Sequence, residues 1–419
     1  MKLTTLTFLL CFFSLTVMQT FAQSANLSHL ESEFSRVDAT FVERLTVMEI
    51  VRDAELTGIG EFYHNALRTL LQRLPDIGTG IGTGPERYAA NNAARIIVQG
   101  LGAEQHAAAA SDLWQTVLVF DVAHAHNDGL VMQDALTALG QVDARNYITH
   151  IVERLNGLNT YHLIDLETRR RVQRAVVGCI NALETFGDRR GFRPVFFASM
   201  GAYEQAIRSR ASIALPNIAE DPSDIISEII RDPSVSPPVK YEAWRELLRT
   251  RTPNESRART AAVALDTGWT YMTNNPAHQR DLRAMRISAI DTIRALGMPD
   301  GPAADWVYIN LERSYRNNFV NVMPDYEEIR RALACLSAIG SERAVDLLLD
   351  FLRELHLRRR VGPWSVRERQ VMSWVIPSIG ASRTQNQEAI LLLTTIQRSL
   401  DYTAVEQGWA RDALRALGQ

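Results

Sequence analysis

The chain has 419 residues, 46% hydrophobic and 22% charged, a balance that supports a folded structure and excludes wholesale disorder. Lysine and arginine total 45 against 48 acidic residues, and the net charge of −3 excludes a general polyanion binder, nucleic acid included. Three cysteines are too few for a disulfide framework or a cysteine-rich metal domain.

In chain order, residues 1–22 come first. Lys2 precedes the apolar run Phe8–Phe13, which continues to Val17, and Ala22 supplies a small residue before Gln23-Ser24. This order predicts a secretory signal cleaved after Ala22, too short in its apolar core for a comfortable membrane span, with an uncleaved anchor as the alternative. No later segment is an uninterrupted apolar run of membrane length. Residues 23–60 follow as an N-terminal helical cap over the first repeat, with a dimerising or partner-docking helix as the alternative. Leu27, Leu30, Phe34, Val37, Phe41, Leu45 and Met48 step by three or four, as in a heptad seam.

From there a unit of about forty residues recurs. Its end is marked by Gly60, Gly102, Gly140, Gly187, Ala219, Arg251, Gly297, Gly340, Gly380 and Gly418. Four positions before these anchors stand only aliphatic residues, among them Leu136, Leu183, Leu247, Ile293 and Leu336. One before, only Thr250 is polar; eight before, Ala and other slim residues dominate, with Arg52 the exception. These offsets share one helical face, and a glycine just beyond it is the usual left-handed stop. Ser341, Asp188, Asp221-Pro222 and Thr252-Pro253 follow their anchors as cap residues, twice with proline placed to open the next helix. Pro216 and Pro377, three before their anchors, are expected to kink or shorten the last turn.

One unit runs Ile225-Ile226-Ser227-Glu228-Ile229-Ile230-Arg231-Asp232-Pro233, then Val239-Lys240-Tyr241-Glu242-Ala243-Trp244-Arg245-Glu246-Leu247. This resembles a HEAT repeat: an aliphatic helix, an Asp-Pro turn, then a cation and an alanine in the second helix. Met285–Gly297 resembles a second helix of the same type. The resemblance implies an all-α fold, a right-handed α-α superhelix of about nine helix pairs over 61–419. A single pair cannot bury its apolar stripe alone, so pairs must stack.

Several residue groups invite a chemical reading. Gly78-Thr79-Gly80-Ile81-Gly82-Thr83-Gly84-Pro85 is glycine-rich enough to admit an anion, but it follows a helical run rather than a strand and lacks a Gly-Lys-Ser/Thr ending. His124, His126 and Asp128, near Asp121, are the densest set of potential metal ligands along the chain; a helix-ending histidine pair before Gly129 is the alternative. Cys179 and Cys335 precede anchors, Gly187 and Gly340, that are four repeats apart. That is roughly 35 Å at ~8–10 Å per helix layer, so they are expected to be two buried, unpaired thiols.

Only Lys2 and Lys240 are lysine; every other cation is arginine. Arg208, Lys240, Arg286 and Arg369 all fall eleven before an anchor, and Arg330-Arg331 and Arg358-Arg359-Arg360 lie near the same helix starts. Two readings stand: an internal ladder of arginine–carboxylate bonds, or a basic stripe for an acidic partner, with Trp364, Trp269 and Tyr271 either its exposed anchors or packed into the core. Candidate binding residues are therefore Arg286, Arg330, Arg331, Arg358, Arg359, Arg360, Trp364 and Arg369, and candidate metal ligands His124, His126 and Asp128. No short catalytic signature is present. The function expected is an exported, cofactor-free, non-enzymatic scaffold, periplasmic if bacterial, binding a protein or envelope component. The alternative is a metal-dependent enzyme or ligand-binding protein with its site near His124 and His126.

Overall fold

A computed structural model describes residues 27–77, 83–122, 129–160, 165–298, 302–320 and 326–419. The expected signal, most of the glycine loop, and His124, His126 and Asp128 lie outside the described residues. Every regular element among the described residues is helical, so the fold is all-α. None of the described helices is long and apolar enough to cross a membrane.

The chain divides into two compact units, meeting at Ala219 and Glu220. The first holds α1 (27–35), α2 (Phe41–Asp53), α3 (Gly60–Arg73), α4 (Gly84–Ala103), α5 (Ala110–Val119), α6 (Leu130–Gln141), α7 (Ile148–Asn159), α8 (Leu166–Phe186), α9 (Phe192–Met200) and α10 (Gln205–Ile218). The second holds α11 (Ser223–Arg231), α12 (Pro237–Arg249), α13 (Asn254–Thr270), α14 (Pro276–Leu296), α15 (Ala303–Val320), α16 (Glu327–Ile339), α17 (Glu342–Val361), α18 (Val366–Ala381), α19 (Gln387–Arg398) and α20 (Ala404–Ala416).

Within each unit the helices pack in chain order. In the first, α2, α4, α6, α8 and α10 form one row, each against the next, and α3, α5, α7 and α9 each pack on the even-numbered helix that follows. In the second, α12, α14, α16, α18 and α20 form the corresponding row, backed by α11, α13, α15, α17 and α19. Such packing fits an α-solenoid in general. The repeat positions supply its core. Ala94, Met132, Cys179, Ala211, Ala243, Ala289, Ala332, Met372 and Ala410 are all fully buried. So are Leu136, Leu183, Leu215, Leu247, Leu336 and Ile376, four residues further along.

The anchor glycines do two different jobs. Gly187 and Gly340 end α8 and α16 in the left-handed conformation, φ 58° and 60°. Gly140 and Gly380 remain helical and instead permit close crossing. A Cβ on Gly140 would lie 2.9 Å from the Ala182 Cα, and one on Gly380 2.8 Å from the Ala413 Cα. Gly60 departs from the expected pattern. It opens α3, because α2 has already ended at Asp53, before Glu55 and Gly58 take φ 48° and 75°.

The single heptad seam over 27–58 is also replaced, by two helices. Arg44 is buried and donates to the carbonyls of Phe34 and Arg36, which closes α1; Thr40 and Glu43 then form a capping box that starts α2. Val37, in the break, is exposed. Ser341 caps α17 as its position predicts. Pro222 and Pro253, however, sit at the cap itself rather than at the first helical position, and the Thr252 hydroxyl bonds Thr250 instead. Pro216 and Pro377 are absorbed inside α10 and α18.

Candidate functional site

The cations eleven before the anchors are engaged internally in the second unit. Lys240, fully buried on α12, donates from Nζ to the carbonyls of Ile229, Ile230 and Asp232 at the C-terminal end of α11. Burial pushes its ammonium down to about 8. Arg286 on α14 donates through Nε and Nη2 to Glu328 on α16, at 2.7 and 3.0 Å, and through Nη1 to the Gly268 carbonyl at 2.6 Å. Gly268 is needed there, since an added Cβ would come 2.4 Å from the Arg286 Cγ. Asn310 on α15 completes the network, accepting from Trp269 Nε1 at 2.7 Å and donating to Glu328 at 3.1 Å. Arg369 on α18 pairs with buried Glu406 on α20 at 3.1 Å. Arg286 therefore takes the internal-ladder alternative rather than the open surface. The acidic halves, Glu328 and Glu406, each stand twelve before an anchor, a regularity that was present in the sequence beside the arginine column.

The surface of the row formed by α12, α14, α16 and α18 carries two adjoining hollows of about 670 and 580 Å³ that share Glu327. Arg257, Arg283, Arg294, Arg330 and Arg331 line them, against the carboxylates of Asp291 and Glu327. Glu327 accepts from Arg283 at 2.7 Å and from Arg331 at 2.9 Å, and these bonds hold its carboxyl below the usual range. Arg331 also pairs with Asp291. Arg294 and Arg330 are exposed and form no ion pair among the described residues. The Arg330 guanidinium lies 5.7 Å from the Trp374 ring centre, and Tyr326 meets the same indole edge-on at 5.5 Å.

No protein-family model matches this chain, and no curated protein matches it.

Of the sequence candidates among the described residues, only Arg330 and Arg331 meet in this hollow. Arg358 bonds Glu354 at 2.8 Å, Arg359 donates to the Asp401 carbonyl, and Arg360 is exposed. Trp364 is not an open anchor. It is buried, donates from Nε1 to the Leu355 carbonyl at 2.9 Å and meets Tyr402 edge-on. Trp269 and Tyr271 are also engaged, lying 3.9 Å from Arg286 and 5.3 Å from Lys240 respectively.

Behind this row, α11, α13 and α15 enclose a further cavity of about 410 Å³ walled by Trp269, Trp306 and Asn310, with Arg313 paired to Asp266 at its edge. In the first unit Glu61, His64 and His106 converge, although His106 lies 42 residues beyond His64 in the chain. Its one local signal is the Glu61-x-x-His64 spacing on a single helix face.

Proposed function

We propose that the chain is an exported scaffold, a HEAT-like right-handed α-α superhelix of nine helix pairs behind an N-terminal helical cap, periplasmic if its source is bacterial. Its surface takes an acidic segment of a protein or envelope component in the hollow along α14, α16 and α18. One observation carries the reading: Arg294 and Arg330 stand exposed beside Trp374 and Tyr326, while Glu327, the one carboxylate lining that hollow among the described residues, is already engaged by Arg283 and Arg331. Unspent guanidinium charge beside an aromatic floor suits a carboxylate-bearing or otherwise anionic partner, because arginine and tryptophan dominate the energetics of such contacts.

Affinity capture of partners from the chain's own envelope fraction tests the proposal, with Arg294→Glu/Arg330→Glu run beside the natural sequence. Partner recovery is expected to be lost on charge reversal and to fall with added salt. Unaltered recovery would remove the hollow from the proposal.

A further inference from the structure

Glu61 and His64 are one turn apart on α3, so their side chains share a face. His106 arrives from the turn after α4, where Gln105 takes φ 51° and sends the chain back. The imidazole packs directly on Gly60, where a Cβ would lie 2.7 Å from His106 Nδ1. One ligand atom from each of Glu61, His64 and His106 falls within 4.8 Å of the others.

Two details separate this cluster from a routine ion pair. His106 Nε2 is buried and has no hydrogen-bond partner among the described residues, yet it lies 3.5 Å from Glu61 Oε2. That is long for a hydrogen bond. It is close to the ~3.3 Å between two ligand atoms that are each about 2.0–2.1 Å from a tetrahedral zinc. His64, almost wholly buried, gives Nε2 to Asp112 Oδ2 at 2.7 Å. A carboxylate accepts, so in the neutral ring Nε2 carries the proton and Nδ1 offers its lone pair. Arg68 holds the same carboxylate oxygen at 2.9 Å. A carboxylate behind an imidazole is the outer support that orients metal-bound histidines.

We propose that Glu61, His64 and His106 bind a zinc ion, with Asp112 positioning His64 and the fourth coordination place open to water or to a ligand. Two imidazoles and one carboxylate are a donor set suited to zinc rather than to the hard cations calcium or magnesium. The Glu61 side chain is 72% exposed, which supplies the route of entry. The ion would tie α3 to the turn after α4.

The purified chain is loaded with zinc chloride, passed into metal-free buffer, and assayed for bound zinc and for Tm with and without the ion. One zinc per chain is expected, with a rise in Tm on loading. Glu61→Gln and His106→Gln are each expected to weaken binding at least tenfold with unchanged far-UV circular dichroism, and Asp112→Asn by roughly 10–100-fold. His124→Ala/His126→Ala should keep the ion. Absence of stoichiometric zinc, its retention in both Glu61→Gln and His106→Gln, or its loss in His124→Ala/His126→Ala would each overturn the assignment. Glu61 is a surface side chain, so a failure to fold cannot account for its result.

Discussion

The Arg286 guanidinium grips Glu328 by two parallel bonds, 2.7 and 3.0 Å long, in a place where both side chains are buried. Removing one partner leaves a buried charge without compensation. Arg286→Met is expected to cost about 3–5 kcal/mol, and Arg286→Met/Glu328→Leu to recover most of it, because a matched apolar pair avoids the desolvation of both ions. Urea denaturation of the two variants beside the natural sequence checks this; equal losses in single and double variants would contradict it.

Lys240 makes stability depend on pH above neutrality. Its folded-state pKa, about 8, lies below its ordinary value of 10.5. Below pH 8 both states carry the proton and the full burial penalty is present; above 10.5 neither does and the penalty is gone. The natural sequence should therefore gain stability relative to Lys240→Met as pH rises from 8 to 10.5. Tm differences across that window provide the measurement, and a flat difference would speak against it.

Two helical glycines should respond in opposite directions. A Cβ at Gly380 meets the α20 backbone at Ala413, whereas one at Gly408 meets nothing within 4 Å. Gly380→Ala is expected to destabilise by about 1–3 kcal/mol through overpacking. Gly408→Ala should stabilise by about 0.5–1 kcal/mol through helix propensity alone. Urea midpoints at constant slope will show both.

Cys179 and Cys335 are free and buried, and burial pushes both thiols up to about 12. Neither should react with a thiol reagent at pH 8 in the folded chain, and both should react once it is unfolded. Rapid native labelling would contradict their placement.

In the hollow, Arg330→Glu alone should weaken an acidic partner and reduce the salt dependence of binding. Arg358→Glu/Arg360→Glu should leave that partner in place, since neither residue lines the hollow along α14, α16 and α18. Titration calorimetry with an identified partner distinguishes the two variants.

Ala289 and Ile293 became core as their spacing before Gly297 implies, and the helix boundaries at Gly187 and Gly340 followed from the same periodicity. The polar groups were much less legible. Arg286 and Arg330 are both arginines on even-numbered helices, yet one is locked under Trp269 and the other lies open above Trp374. His64 and His106 are far apart in sequence and meet only because Gly60 leaves room for the ring.

Sequence alone determined the helical class, the core faces and the burial of Cys179 and Cys335. A period of 3.6 residues assigns a face wherever the helix sits, and burial of apolar area rewards that face in any packing. Tertiary structure alone decided which cations are spent. An arginine reaches water or a buried carboxylate with similar ease. Only the arrival of Glu328, 42 residues downstream, commits Arg286 to the interior. Among the described residues no carboxylate pairs with Arg294 or Arg330, so the charge that remains for a partner is set by helix packing rather than by composition.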